Sequence, residues 1–156
     1  MEFIGWPRKR FQFLFLLTVA IKTLESSKMK ITGNVTVPSL KEGVSLAKES
    51  YLSVKFQDDS RMDVSSIVLG TQEQLLAERT KVGPGTEPLN YTIVCDKPEK
   101  VPFSYSVSAV LNVGWRPNSD EWLRNGDFLS DTNHPVMITQ ESDHFVANIE
   151  MVHYNN

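Results

Sequence analysis

Apolar and polar residues alternate most clearly along Phe103 to Val113. Six apolar residues fall on one side of an extended backbone at positions 103, 105, 107, 109, 111 and 113, and three serines with Asn112 fall on the other, with only Val110 breaking the polar set. A period of two is typical of a half-buried strand, because on a helix the same apolar residues would scatter around the whole circumference. The stretch therefore predicts a central β-strand.

Shorter segments repeat this alternation on both sides of the central strand. They predict strands over residues 30–37, 52–57, 89–95 and 145–151, with short strands at 128–129 and 136–138. Residues 67–79 are ambiguous, because apolar β-branched residues precede Thr71 to Arg79, which are good helix formers. Since tertiary context overrides local propensity, we interpret this stretch as one strand interrupted near Gly70.

Seven or eight short strands without a convincing amphipathic helix predict the class of the fold. Turn signals separate the strands at intervals of about ten residues, as in two-sheet proteins. We therefore expect an all-β protein, an antiparallel immunoglobulin-like β-sandwich.

Composition narrows the classes of partner and the ways in which the fold is held together. The 156 residues suit one domain, and a net charge of -3 gives no attraction toward a phosphate backbone, so nucleic acid is not expected as a partner. The single cysteine, Cys95, excludes an internal disulfide and a multi-cysteine zinc site.

The N-terminal residues have the layout of a secretory signal peptide. Pro7 to Arg10 are basic, Phe11 to Ile21 are mostly apolar, and Thr18 to Ala20 supply small residues at the positions that a signal peptidase reads. The apolar run is shorter than the roughly 20 residues needed to cross a bilayer, so no stable membrane span is expected. We predict a leader over residues 1–28, one domain over 29–156 and a secreted or extracellular protein. The alternative is a cytoplasmic β-sandwich that begins at Met29 and acts as an intracellular interaction protein.

Two segments of the chain resemble a known family. Leu52 to Gln72 contains a strand, the turn Asp58-x-Ser60-x-x-Asp63 and a further strand. Ser130 to Thr139 contains Thr132 and the pair Pro135-Val136. Read with the strands between them, these segments resemble the YbaY-like lipoprotein family, which includes type III secretion pilotin-like proteins. The resemblance spans roughly residues 30–139.

The resemblance implies a small β-sandwich without catalytic machinery, exported and in bacteria often lipid-anchored. No lipid anchor is expected here, because the only cysteine, Cys95, lies inside a predicted strand rather than after the leader. His134 replaces a tyrosine that is usual in the family, Gly114 to Asp127 lengthens a normally tight hairpin, and Glu141 to Asn156 is an added tail.

The candidate binding residues are Trp115, Trp122 and Leu123, in the polar connection Gly114 to Asp127. A tryptophan in such a loop offers large contact area at small entropic cost, which favours a protein or carbohydrate partner. The alternative is that both rings fold back over the open end of the core, with Trp115 continuing the buried phase of the central strand.

The sequence gives less support for a metal site or a catalytic site than for a binding loop. Asp58, Asp59, Ser60 and Asp63 contain oxygen ligands that a cation would accept, but we favour a strand-end turn in which Asp59 and Ser60 bond nearby backbone N–H groups. The three histidines at 134, 144 and 153 lack metal-site spacing, and no nucleophile elbow is present, so we predict no enzyme, no metal site and no cofactor. Cys95 falls on the apolar face of its strand.

Two triplets, Asn34-Val35-Thr36 and Asn90-Tyr91-Thr92, are glycosylation sequons. In both, the Asn falls on the polar face of a predicted strand, which makes Asn34 and Asn90 candidate glycosylation sites. Together these patterns predict a secreted, non-enzymatic β-sandwich that acts as a binding or assembly module.

Overall fold

The computed structural model describes residues 27–61, 65–99 and 104–155. Almost all of the predicted leader, as well as Asp63 and Phe103, lies outside these residues. Within them the chain forms twelve strands and no helix: β1 Lys28–Thr36, β2 Val44–Ser45, β3 Tyr51–Asp58, β4 Ile67–Leu75, β5 Lys81–Val82, β6 Leu89–Asp96, β7 Tyr105–Asn112, β8 Phe128–Leu129, β9 His134–Pro135, β10 His144–Val146, β11 Ile149–Glu150 and β12 Val152–His153. The described part therefore holds no helix that could cross a membrane.

Two main sheets enclose one hydrophobic core, and β2 and β5 form a separate two-stranded sheet; this confirms the predicted all-β sandwich. The larger sheet has the order β12-β8-β7-β3-β4, with β9 also paired to β7, and the smaller sheet joins β6 to β1 and β1 to β10 and β11. Alternate residues of β7 point into the core as predicted: Tyr105, Val107, Ala109 and Leu111 are each at most 4% exposed. Burial of this face, together with the apolar residues of the other strands that form the core, stabilises the fold.

The C-terminal segment was predicted as one strand, and it forms three short ones. β10 and β11 run parallel to β1, and β12 then crosses to pair with β8 in the other sheet. Between β10 and β11 the chain passes over Gly33, where an added Cβ would lie 1.8 Å from the carbonyl oxygen of Ala147. That oxygen accepts a 2.6 Å hydrogen bond from the Tyr91 hydroxyl, and burial raises the pKa of Tyr91.

The interruption expected near Gly70 is a β-bulge. Phe56 of β3 pairs with Gly70 and Gln57 pairs with Val68, which leaves Leu69 as an extra residue in β4. The strand ends at Leu75 rather than at Arg79, and the helix formers in this stretch adopt strand geometry because pairing with β3 outweighs propensity.

The strand expected at 136–138 is displaced. β9 comprises His134 and Pro135 instead, while Val136 and Ile138 are buried and Met137 between them is 80% exposed. Burial therefore alternates along residues 136–138 as in a strand. Within this stretch, however, only the backbone N–H of Val136 donates a hydrogen bond to the central strand, to the carbonyl oxygen of Tyr105.

A candidate binding trough beneath loop 114–127

The candidate site lies on the outer face of the larger sheet. On β3, Leu52, Val54 and Phe56 point into the core, so Ser53, Lys55 and Gln57 point outward. β7 is the antiparallel neighbour of β3, and it places Val110, Ser108 and Ser106 opposite these three residues in turn. Two central strands thus present a mostly polar surface, which we call the outer face.

Loop 114–127 folds back over one end of the outer face. The cross-strand partners Tyr51 and Asn112 both point outward, yet they are 6% and 0% exposed. Asn112 and Ser106 lie on the side of the central strand opposite its apolar face, as predicted, but both are buried. Asn112 is buried beneath the loop, and Ser106 donates a hydrogen bond to the carboxylate of Asp59.

The loop is held by Asp127, which is 1% exposed. Its Oδ1 accepts hydrogen bonds from the backbone N–H of Val113 at 2.8 Å and from the indole Nε1 of Trp115 at 3.0 Å. Its Oδ2 accepts from the Asn112 amide at 3.0 Å and from the backbone N–H of Arg124 at 2.8 Å. One buried carboxylate thereby joins both ends of the loop and the end of β7, and no sequence motif had singled it out.

Trp115 packs against this network. Its ring is half-buried, its indole N–H is bonded to Asp127, and the guanidinium carbon of Arg124 lies 3.9 Å from the ring centre. Arg124 also forms an ion pair with Glu121, and hydrogen bonding to Arg124 lowers the pKa of the Glu121 carboxyl. These contacts fit the interpretation in which Trp115 folds back, and they indicate that Trp115 helps to hold the loop in place.

Trp122 differs from Trp115 because its side chain is 58% exposed. Its backbone carbonyl accepts a 2.9 Å hydrogen bond from the Asn112 amide, so the base of the residue is fixed while its ring faces solvent. Leu123 beside it is half-buried. A large apolar ring on a fixed backbone is the most distinctive exposed feature of the loop.

Beneath Trp122 lies a trough of about 500 Å³, and Trp115 does not contribute to its lining. Its floor is formed by outward residues of β3 and β7, and Trp122 with Pro117 and Asn118 forms one wall. A second hollow of about 300 Å³ shares Gln57, Ser108 and Ser130 with the trough and extends toward Asn133. The two hollows therefore adjoin along the outer face, and both are lined by polar and apolar groups.

Tyr51 contacts the loop and the neighbouring strand β4. Its hydroxyl donates a 2.6 Å hydrogen bond to Glu73 of β4, and Arg116 lies 5.0 Å from its ring centre. Burial, followed by the interaction with Glu73, raises the pKa of Tyr51. The loop therefore contacts the sheet through Arg116 as well as through Asp127.

In the acidic segment, the structure describes Asp58 to Arg61, whereas Asp63 lies outside the described residues, and the hydrogen-bond acceptors differ from those expected. Asp58, not Asp59 or Ser60, accepts the backbone hydrogen bond, from the N–H of Ser60 at 2.8 Å. Asp59 instead accepts hydrogen bonds from the hydroxyls of Ser66 and Ser106. The carboxylates thus close the end of β3, and among the described residues no group of three His, Cys, Asp or Glu is arranged to hold a metal ion.

The histidines and the cysteine have separate structural environments. The Nε2 atom of His134 accepts the backbone N–H of Glu150 at 2.9 Å, His144 bonds Thr32 at 2.9 Å, and the ring of His153 lies 5.0 Å from that of Phe128. Cys95 is buried as expected, and burial raises the pKa of its thiol.

The two sequons meet on the opposite sheet. Asn34 of β1 and Asn90 of β6 are direct cross-strand partners, and the backbone N–H of Asn34 bonds the side chain of Asn148 at 3.0 Å. Cross-strand partners lie about 5 Å apart, so two glycans would leave the sheet from nearly the same point. Glycosylation at these positions stays a prediction.

Comparison with known proteins identifies one informative likeness. No protein-family model and no curated protein matches the chain. A solved structure, an alternative pilotin from the type II secretion system of Vibrio cholerae, is 27% identical and superposes with a TM-score of 0.55, covering 82% of this chain and 100% of that one. The chain therefore has a pilotin-like fold, in agreement with the pilotin-like part of the resemblance seen in the sequence.

Proposed function

We propose that this protein is an exported, non-enzymatic binding and assembly module, akin to the YbaY-like and pilotin-like proteins, that holds a protein partner. The observation that carries the proposal is the likeness to a pilotin over that protein's entire length, at 27% identity. A protein of this kind needs a stable scaffold and an exposed contact surface rather than a set of catalytic groups.

The contact surface that we assign to the protein partner is the tip of loop 114–127, formed by Trp122 and Leu123. The Trp122 ring is 58% exposed, whereas its backbone is bonded to Asn112. A ring presented in this way loses little conformational entropy when a partner covers it. Trp115 lies behind the tip, where it keeps the loop in place through Asp127.

Export is proposed from the leader, almost all of whose residues precede those that the structure describes. If the leader is cleaved after Ala20 or shortly beyond it, the mature protein starts a few residues before β1, which begins at Lys28. Sequencing the N-terminus of the protein purified from its native source tests this proposal. A protein that keeps Met1 in the cytosol, or one that begins at Met29, contradicts it.

Affinity capture from the native source, followed by measurement with the purified partner, tests the contact surface. Trp122→Ala should weaken binding by about tenfold or more, as is typical of an aromatic anchor. Met137→Ala is the matched control, because Met137 is an apolar residue at 80% exposure outside the loop.

Both variants should keep the melting temperature of the wild type, since neither side chain is buried. Equal binding by Trp122→Ala and wild type would place the interface elsewhere. A fall in melting temperature without loss of binding would show that the ring serves packing instead.

A further inference from the structure

The floor of the trough carries hydrogen-bonding groups in a regular array. Ser53, Lys55 and Gln57 follow one another on the outward side of β3, and Ser108 of β7 stands directly opposite Lys55. Neighbouring strands lie about 4.8 Å apart and outward residues of one strand about 6.6 Å apart. Hydroxyl, amide and ammonium groups are therefore spaced over the floor at distances comparable with the size of a sugar ring.

Trp122 adds a flat apolar surface at the wall of this polar floor. Its ring is exposed and lines the same trough. An aromatic ring beside polar groups matches a pyranose unit, which has an apolar C–H face and a rim of hydroxyls. The trough volume of about 500 Å³ also lies within the range of about 300 to 1,000 Å³ that is usual for small-ligand sites.

Asn112 provides a second, independent observation. It lines the trough, it is 0% exposed, and its Oδ1 has no hydrogen-bond partner among the described residues, although its Nδ2 is bonded to Asp127 and to the Trp122 carbonyl. A buried acceptor without a donor costs free energy, which a ligand hydroxyl would recover. Such a hydroxyl reaches this oxygen only if loop 114–127 shifts slightly.

The topology disfavours an extended peptide as the occupant. β3 is paired on both edges, with β4 and β7, and β7 is paired on both edges as well. The trough floor therefore offers side chains but no unpaired strand edge on which a peptide backbone could form a ladder. Lys55 and Glu73 balance each other in charge, which gives no preference for an ionic ligand.

We propose that the trough binds an uncharged oligosaccharide of two or three pyranose units. One ring stacks on Trp122, and the hydroxyls bond to Lys55, Gln57, Ser108 and, after a shift of the loop, to Asn112 Oδ1. This site goes beyond the proposed function: it shares the Trp122 ring with the contact surface at the tip of the loop, but its other contacts lie on the floor of the trough.

Titration of the full chain with cellotriose, chitotriose and maltotriose, followed by calorimetry and by NMR of the side-chain N–H groups, tests the proposal. At least one of the three should bind with a Kd of about 5 mM or tighter. Trp122→Ala should weaken that binding about tenfold and Lys55→Ala about threefold to tenfold, whereas Met137→Ala should leave it unchanged. The Asn112 amide and Trp122 indole signals should shift on binding.

The proposal is overturned if none of the three trisaccharides binds, or if Trp122→Ala and Lys55→Ala bind them like the wild type. It is also overturned if Lys55→Ala loses the protein partner while no sugar binds, because the trough then belongs to that partner. Capture of the protein partner by Lys55→Ala with wild-type affinity, together with weakened sugar binding, separates the two sites. Loss of protein capture by Leu123→Ala with wild-type sugar binding supports the same separation.

Discussion

Replacing Asp127 with asparagine tests how the loop is held. The carboxylate accepts four hydrogen bonds at 2.8 to 3.0 Å, two on each oxygen. An amide keeps one oxygen and turns an NH₂ group toward two of the former donors, so two hydrogen bonds are lost. Each hydrogen bond to a charged group contributes about 1.5 to 3 kcal/mol, and part of this returns when the freed donors reach water.

We therefore expect Asp127→Asn to lower the free energy of unfolding by about 3 kcal/mol and the melting temperature on the order of 10 °C. Urea denaturation followed by tryptophan fluorescence measures this change, since the Trp115 indole is one of the four donors. Asp131→Asn removes the same charge from an exposed residue and should stay within about 0.5 kcal/mol of the wild type. A variant at 127 that matches this control would refute the idea that the carboxylate organises the loop.

Three further predictions concern the opposite sheet. Gly33→Ala should destabilise the protein by more than about 3 kcal/mol in urea denaturation, because its Cβ would overlap the Ala147 carbonyl. Gly126→Ala is the control: its added Cβ meets nothing within 4 Å, so it should cost only about 1 kcal/mol of backbone strain. Burial raises the pKa of Tyr91 above its ordinary value of 10.0, so the unfolded chain ionises first and stability should fall as pH rises through 10. Tyr91→Phe should show a smaller fall in melting temperature over this pH range, and a fall as large as that of the wild type would contradict the prediction. The pKa of the Cys95 thiol is also raised by burial, and labelling with a disulfide reagent at pH 8 should be slow in the folded protein and fast in urea; fast labelling of the folded protein would argue against burial.

The sequence predicted the parts of the fold in which one strand face meets the core. Alternation located β1, β3, β6 and β7 because burial of one face imposes a period of two. It could not predict that β10 and β11 pair parallel to β1, since pairing direction depends on contacts between residues more than a hundred positions apart. The only sequence signal for the bulge at Leu69 was the mixture of strand-forming and helix-forming residues around Gly70.

The candidate site was predictable in its location but not in its construction. Two tryptophans in a long polar connection indicated loop 114–127, and the alternation of the central strand already favoured burial of Trp115. The sequence left open whether Trp122 folds back, and the structure exposes it. Asp127 was assigned to the polar connection and Asn112 to a polar strand face, because alternation describes one strand and carries no information about a loop that folds over it. The trough itself exists only where β3, β7 and the loop meet.

Hydrogen exchange of the purified protein, with and without its captured protein partner, is the most direct test of loop 114–127 as the contact surface. We expect the partner to slow exchange at the backbone amides of Trp122 and Leu123 and to leave β10 and β11 unchanged. Protection at the smaller sheet or at the β4 edge, with Trp122 and Leu123 unaffected, would contradict the assignment.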